Sequence, residues 1–221
     1  MEINATSRLY HCFSCHAGGV APVDWGPALS QLPNLSSRPA ASPLATPQSA
    51  LSVKMPPLAL QEIARRRQEV AWIVHRYMVR WDGERLSWPA GKGFSRRSVI
   101  PWEKPKTLTV PPKGLIGEHL LIPGSRVVVV EGDWKAASIP LPWVGVGLMG
   151  TIMSEEQKWT LLTSNPQSIT VLLDGGYTYA ALKIQEQLLP YRAKVLDLPK
   201  DKGPDDIPRR DLVRLLMKGA G

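Results

Sequence analysis

Two kinds of hydrophobic pattern divide the chain. From residue 60 to 81, Leu60, Ile63, Val70, Val74, Tyr77, Met78 and Trp81 recur at helical spacing, with Arg65 and Arg66 on the other side. That spacing predicts an amphipathic helix of about six turns over residues 60–81. Asp82-Gly83 then makes a turn, and two or three short strands follow at 85–88, 94–100 and 107–110, punctuated by Pro101, Pro105, Pro111 and Pro112.

After Ser125 strand and helix alternate. Residues 126–130 end in an unbroken β-branched run, which suits a parallel strand buried on both faces. Glu131-Gly132 turns into a short helix over about 134–139, and 143–148 is a second strand. Ser154 with Gln157 forms a capping box for a helix to about Thr163. Residues 169–173 form a third strand, followed by Asp174-Gly175-Gly176 and a helix over about 177–189. A fourth strand at 193–198 leads through the loop 199–206 to a helix opened by Pro208 and closed by Gly219. The expected fold class is α/β: a unit of about 100 residues around a central parallel sheet with right-handed crossovers, preceded by a small basic α+β subdomain.

Composition adds a linker and locates the charge. From residue 27 to 57, 18 of 31 residues are Pro, Ser or Ala and only Arg38 and Lys54 are charged, so this stretch cannot bury a core. The expected division is 1–26, the linker 27–57, a basic subdomain 58–124 and the α/β domain 125–221. The net charge of +8 is uneven: residues 1–57 hold 3 basic and 2 acidic side chains, residues 58–114 hold 12 and 5, and residues 115–221 hold 12 and 12. A basic middle beside a neutral C-terminal half points to a polyanion, nucleic acid first. Cys12 and Cys15, spaced C-x-x-C, suit metal or redox chemistry in a reducing compartment rather than a disulfide scaffold. The longest uncharged run, 136–154, is broken by Pro140, Pro142, Gly145, Gly147 and Gly150, so no membrane span is expected and the protein is read as cytoplasmic.

Acids stand at three strand ends: Glu131 after the first strand, Asp174 after the third, and Asp205 and Asp206 after the fourth. Ligands of an open parallel sheet bind at the carboxyl ends of its strands. Carboxylates converging there are what Mg²⁺ needs to hold and polarise phosphate oxygens. Gly145, Gly147 and Gly150 spell G-x-G-x-x-G, but the glycines lie along the strand with Pro140 and Pro142 crowding its start, so a dinucleotide site is rejected.

The order of these motifs resembles a TOPRIM domain, more narrowly that of bacterial and phage DNA primases. It is carried by V-V-V-V-E-G-D-W-K-A-A (127–137), G-V-G-L-M-G-T (145–151), V-L-L-D-G-G (171–176) and L-P-K-D-K-G-P-D-D-I (198–207). The resemblance implies Mg²⁺ or Mn²⁺ held by Glu131, Asp174 and Asp205, with Gly176 and Gly203 where the family has two further aspartates, and with Asp201 or Asp206 as substitutes. Upstream, W-D-G-E-R-L-S-W-P (81–89), G-F-S-R-R-S (93–98) and K-P-K-T-L (104–108) resemble the basic subdomain that precedes TOPRIM in primases. That implies template and nucleotide phosphates at Arg96, Arg97, Lys104, Lys106 and Lys113, the adjacent arginines forming a guanidinium pair suited to phosphate. Trp88 and Trp102, in or beside strands, are read as core rather than as base-stacking surfaces. L-Y-H-C-F-S-C-H-A-G-G (9–19) resembles the second half of a primase zinc ribbon, implying Zn²⁺ at Cys12 and Cys15 with an incomplete ligand set.

The leading expectation is a reduced phage-type or mobile-element DNA primase, joining nucleoside triphosphates into short primers on a single-stranded DNA template. The sequence holds no helicase P-loop, so a replicative helicase is expected as a separate partner. The second is a replication accessory that keeps the fold and basic surface to bind single-stranded DNA or a helicase, having lost carboxylates to Gly176 and Gly203. The third is a TOPRIM nuclease, against which the ribbon and the basic subdomain argue.

Overall fold

The computed structural model describes residues 2–4, 9–11, 18–20, 55–66 and 70–219. The chain divides into two compact units, Met1–Leu51 and Ser52–Gly221. In the first, β1 (Glu2–Asn4), β2 (Leu9–His11) and β3 (Gly18–Val20) form an antiparallel sheet in that order, Tyr10 standing opposite Ile3 on one side and Gly19 on the other. Cys12 and Cys15, the expected zinc ligands, lie outside the described residues, as does most of the linker.

The second unit opens with α1 (Pro57–Arg65), which places a proline in its first turn, where no amide donor is needed. Helix α2 (Val70–Arg76) follows. The helical periodicity continues to Trp81, but the helix does not. Met78 takes φ +54°, which a right-handed helix cannot pass through, and Trp81 pairs with Leu86. The expected six-turn helix is thus two shorter helices and a strand.

That strand, β4 (Arg80–Trp81), begins an antiparallel sheet with β5 (Leu86–Ala90), β6 (Gly93–Arg97) and β7 (Thr107–Val110), in the order β4-β5-β6-β7. Burial alternates along β5, as one covered face requires. Pro89 is tolerated within it because β4 pairs only with Leu86 and Ser87, so no β4 residue stands opposite the proline.

The expected α/β architecture follows. Strands β8 (Arg126–Val130), β9 (Val144–Gly147), β10 (Ser168–Val171) and β11 (Lys194–Val195) form a wholly parallel sheet in the order β11-β10-β8-β9. Val127 to Val130 are buried throughout, as their unbroken run requires of a strand covered on both faces. The connecting helices are α3 (Asp133–Ser138), α4 (Glu155–Thr163) and α5 (Thr178–Gln187), and α6 (Arg209–Gly219) closes the chain. The capping box is present: the Gln157 amide donates to Ser154 Oγ at 3.2 Å, and Ser154 N donates to Gln157 Oε1 at 3.0 Å. Strand β11 is shorter than the 193–198 expected, because after Leu196 the chain leaves the ladder and crosses toward Gly175. Gly145 lies within β9, where a Cβ would stand 2.1 Å from Ala136 O, so the glycine lets α3 lie close on the strand.

One core spans the expected boundary between 58–124 and 125–221. Trp88 meets Trp134 edge-on at 4.9 Å between ring centroids, and Tyr77 stands 6.1 Å from Trp88. The Tyr77 hydroxyl donates to Ala136 O at 2.6 Å, with Gly145 O at 3.2 Å, and burial pushes its pKa up. Trp102 departs from the core reading: it is 82% exposed, on the loop between β6 and β7. Among the described residues no helix is long and apolar enough to cross a membrane.

Candidate functional site

The sheet order creates the site. The connection after β8 runs to β9 on one side, while that after β10 runs to β11 on the other, so the switch point lies between β8 and β10. Glu131 directly follows β8 and Asp174 stands in the turn after β10. Between them lies Lys135 of α3, its Nζ 2.8 Å from Glu131 Oε2 and 2.6 Å from Asp174 Oδ2. Burial acts against the Lys135 charge, but the two carboxylate hydrogen bonds outweigh it and hold its pKa above the ordinary lysine value. Burial, with the negative charge of Glu131, lifts the Asp174 carboxyl above its usual range despite Lys135.

The loop after β11 returns to the same point. Gly175 bridges to Lys200, its amide donates to Lys202 O at 2.8 Å, and its carbonyl accepts from Asp201 N at 3.3 Å. A Cβ at 175 would lie 1.9 Å from Pro199 O, so only glycine admits this approach. The loop then carries Asp205 inward. A Cβ at Gly203 would stand 3.0 Å from Asp174 Oδ1, 2.8 Å from Asp205 Oδ1 and 3.2 Å from Lys135 Cε. Glu131, Asp174 and Asp205 are thus brought together around Lys135 and Gly203. Asp206 turns back to accept from Gly203 N at 2.9 Å, and Asp201 is exposed in a turn with φ +60°.

This donor set does not fit the expected Mg²⁺. That ion requires near-octahedral oxygen ligands and retains several waters, whereas here an ammonium is in direct contact with two of the three carboxylates. Among the described residues no group of three or more His, Cys, Asp or Glu side chains is arranged to hold a metal ion. Asp174 Oδ1 is buried without a hydrogen-bond partner among them.

A cavity of about 500 Å³ lies between this edge and the antiparallel sheet, lined among others by Arg66, Arg97, Thr107, Thr109, Trp134, Lys135, Asp205 and Asp206. Its two guanidinium groups flank the Trp134 ring, with Arg66 5.8 Å and Arg97 5.9 Å from the centroid, within cation–π range. Each also faces acid. Arg97 pairs with buried Asp133 at 2.9 Å, and Arg66 contacts Glu62 at 3.2 Å and Asp205 at 3.8 Å.

The expected phosphate-binding residues separate. Arg97 lines the cavity, but Arg96 points to the opposite face of β6, where it hydrogen-bonds Asp82 at 2.5 Å. The adjacent pair cannot act as one fork, because successive side chains of a strand alternate faces. Burial pushes the Asp82 carboxyl up, yet hydrogen bonds from Arg96 and from the Arg85 and Glu84 amides outweigh it and hold its pKa below the ordinary value. Lys104 and Lys106 are exposed, and Lys113 stands beside Gly150, its Nζ 3.5 Å from where a Cβ would be. These three lysines form no ion pair among the described residues. In the same loop the Glu103 carboxylate is turned inward to Arg85 and Ser98, while Trp102 projects outward.

Sequence reasoning missed Lys135, Asp133 and Arg66. Only Lys135 left a local signal, standing four residues after Glu131 on the short helix that follows it.

No protein-family model matches the chain. No curated protein matches it. Among solved structures it is similar to the primase fragment of the bacteriophage T7 primase-helicase protein, at 15% identity and a TM-score of 0.47, over 67% of this chain and 70% of that one. It is also similar to a chain of the complex in which bacteriophage T7 lagging-strand DNA polymerase interacts with primase domains of two gp4 subunits bound to an RNA/DNA hybrid and dTTP. There the identity is 17% and the TM-score 0.46, over 66% of this chain and 84% of that one.

Proposed function

We propose that this chain is a primase-like replication protein that binds single-stranded DNA along the edge running from Trp102 to Lys113. The observation that carries the reading is the uncompensated charge of that edge. Lys104, Lys106 and Lys113 have no acidic partner among the described residues, and the one acid between Trp102 and Lys104, Glu103, is taken up by Arg85 and Ser98. An exposed tryptophan beside unpaired lysines suits a strand whose bases stack and whose phosphates track a basic groove. Binding of labelled single-stranded DNA across a salt series tests it. Replacing the three lysines by alanine should lower affinity and reduce the log–log salt slope by about 2, roughly 0.7 for each phosphate no longer neutralised. An unchanged slope overturns the reading.

A second reading, template-directed primer synthesis from nucleoside triphosphates, is favoured by the convergence of Glu131, Asp174 and Asp205 at one sheet edge. It needs a divalent cation where the Lys135 ammonium stands. Primer synthesis with labelled nucleotides in Mg²⁺ and Mn²⁺ decides between them. Products that vanish in Glu131→Ala would replace the binding-module reading with the enzymatic one.

A further inference from the structure

The carboxyl edge of the parallel sheet carries a cation of its own. Lys135 Nζ contacts Glu131 Oε2 at 2.8 Å and Asp174 Oδ2 at 2.6 Å, the separations of charge-assisted hydrogen bonds. The first contact is made from the third residue of α3, a helix that opens two residues after Glu131, and the second follows from the strand order that sets β10 beside β8. The lysine stem also takes the remaining room. A side chain at 203 would begin 3.2 Å from Lys135 Cε and within 3.0 Å of carboxylate oxygens of Asp174 and Asp205. A side chain at 203 would press on both carboxylates and on the lysine stem, and this chain has glycine there.

We infer that the Lys135 ammonium is a tethered replacement for a divalent cation, neutralising the acidic edge and holding it together without metal. Lys135 is then a positioning residue. It draws Glu131 and Asp174 toward one point and fills the space beneath the returning loop, and the two oxygens it binds, Glu131 Oε2 and Asp174 Oδ2, are not free to ligate an ion.

Metal uptake is independent of DNA binding, so the two readings fail separately. The test uses the full chain and Mn²⁺ alone, with the free-Mn²⁺ resonance reporting uptake and thermal denaturation reporting stability. The natural chain should take up no more Mn²⁺ than Glu131→Gln, and its Tm should not respond to the metal. Lys135→Ala should lower Tm by roughly 4–8 °C, as loss of a part-buried ion pair in a chain of this size implies. It should gain Mn²⁺ uptake, regain Tm when Mn²⁺ is added, and lose that gain when Glu131→Gln is introduced beside it. Lys135→Met, which removes the charge but keeps the stem, should show the lower Tm and no gain. Mn²⁺ uptake by the natural chain that Glu131→Gln removes overturns the inference, as does a folded Lys135→Ala that gains none. Should Lys135→Ala not fold, the natural chain, Glu131→Gln and Lys135→Met carry the same decision: equal uptake in the first two with a lower Tm in the third supports it, and any other pattern overturns it.

Discussion

Two edges of the second unit carry concentrated charge and treat it in opposite ways. At the carboxyl edge of the parallel sheet, Glu131 and Asp174 are matched by Lys135, Asp205 lies 3.8 Å from Arg66, and Asp133 holds Arg97. Along the loop and strand from Trp102 to Lys113, three lysines have no such match among the described residues. The +7 of residues 58–114 already sets Arg85 and Arg96 against Glu103 and Asp82, yet it still overstates the charge free to meet a ligand, since Arg97 and Arg66 also face Asp133 and Asp205 from outside that segment. Segment charge locates a candidate region. Ion pairing decides which part of it can bind.

The contrast can be broken at its most internal contact. Asp133→Ala removes a carboxylate that is 2% exposed and leaves Arg97 facing the Trp134 ring without its counter-ion. The expected loss is about 3 kcal/mol of folding stability, measured by denaturant unfolding. A loss below about 1 kcal/mol would mean that Arg97 finds solvent without penalty. At the open edge, Trp102→Ala should leave stability within about 0.5 kcal/mol, because the ring is 82% exposed. The same change should weaken single-stranded DNA binding by about 1–3 kcal/mol, read by fluorescence anisotropy of a labelled strand. A large stability loss with unchanged DNA affinity would return Trp102 to a structural role. The smallest effect is expected at Arg96, which serves a local turn. Arg96→Ala should cost no more than about 1 kcal/mol at neutral pH. The Asp82 carboxyl is held below its ordinary value, so its contribution is present above the unfolded-state pKa and is lost as pH falls through the lower folded-state value. Acid titration of stability should therefore be flatter in Arg96→Ala than in the natural chain.

Local chemistry was readable from the sequence where it settles a local geometry. The β-branched valine run of 127–130 suits a strand covered on both faces and forms one, and Ser154 with Gln157 caps α4 as their spacing suggests. The helical period of 60–81 misled because Tyr77 and Trp81 are apolar for another reason, Tyr77 filling the core between α3 and β9 and Trp81 pairing in a sheet. The convergence of Glu131, Asp174 and Asp205 followed from their places at strand ends. What occupies their centre did not, since Lys135 meets Asp174 across 39 residues and Arg66 reaches Asp205 from a helix far earlier in the chain. The two arginines at 96 and 97 do not form a unit, because the twofold period of a strand assigns them to opposite faces.

The edge-on contact of Trp88 with Trp134 has a thermodynamic consequence for any ligand. These rings join the antiparallel sheet to α3 within one core, so the walls of the 500 Å³ cavity are the two sides of a single packed body. Close-packed interiors do not hinge. A guest entering the cavity meets a jaw already set at its final width, and the entropy of arranging that jaw has been spent during folding. A ligand of this cavity should then be selected by size and charge pattern rather than by closure, with little change in the backbone.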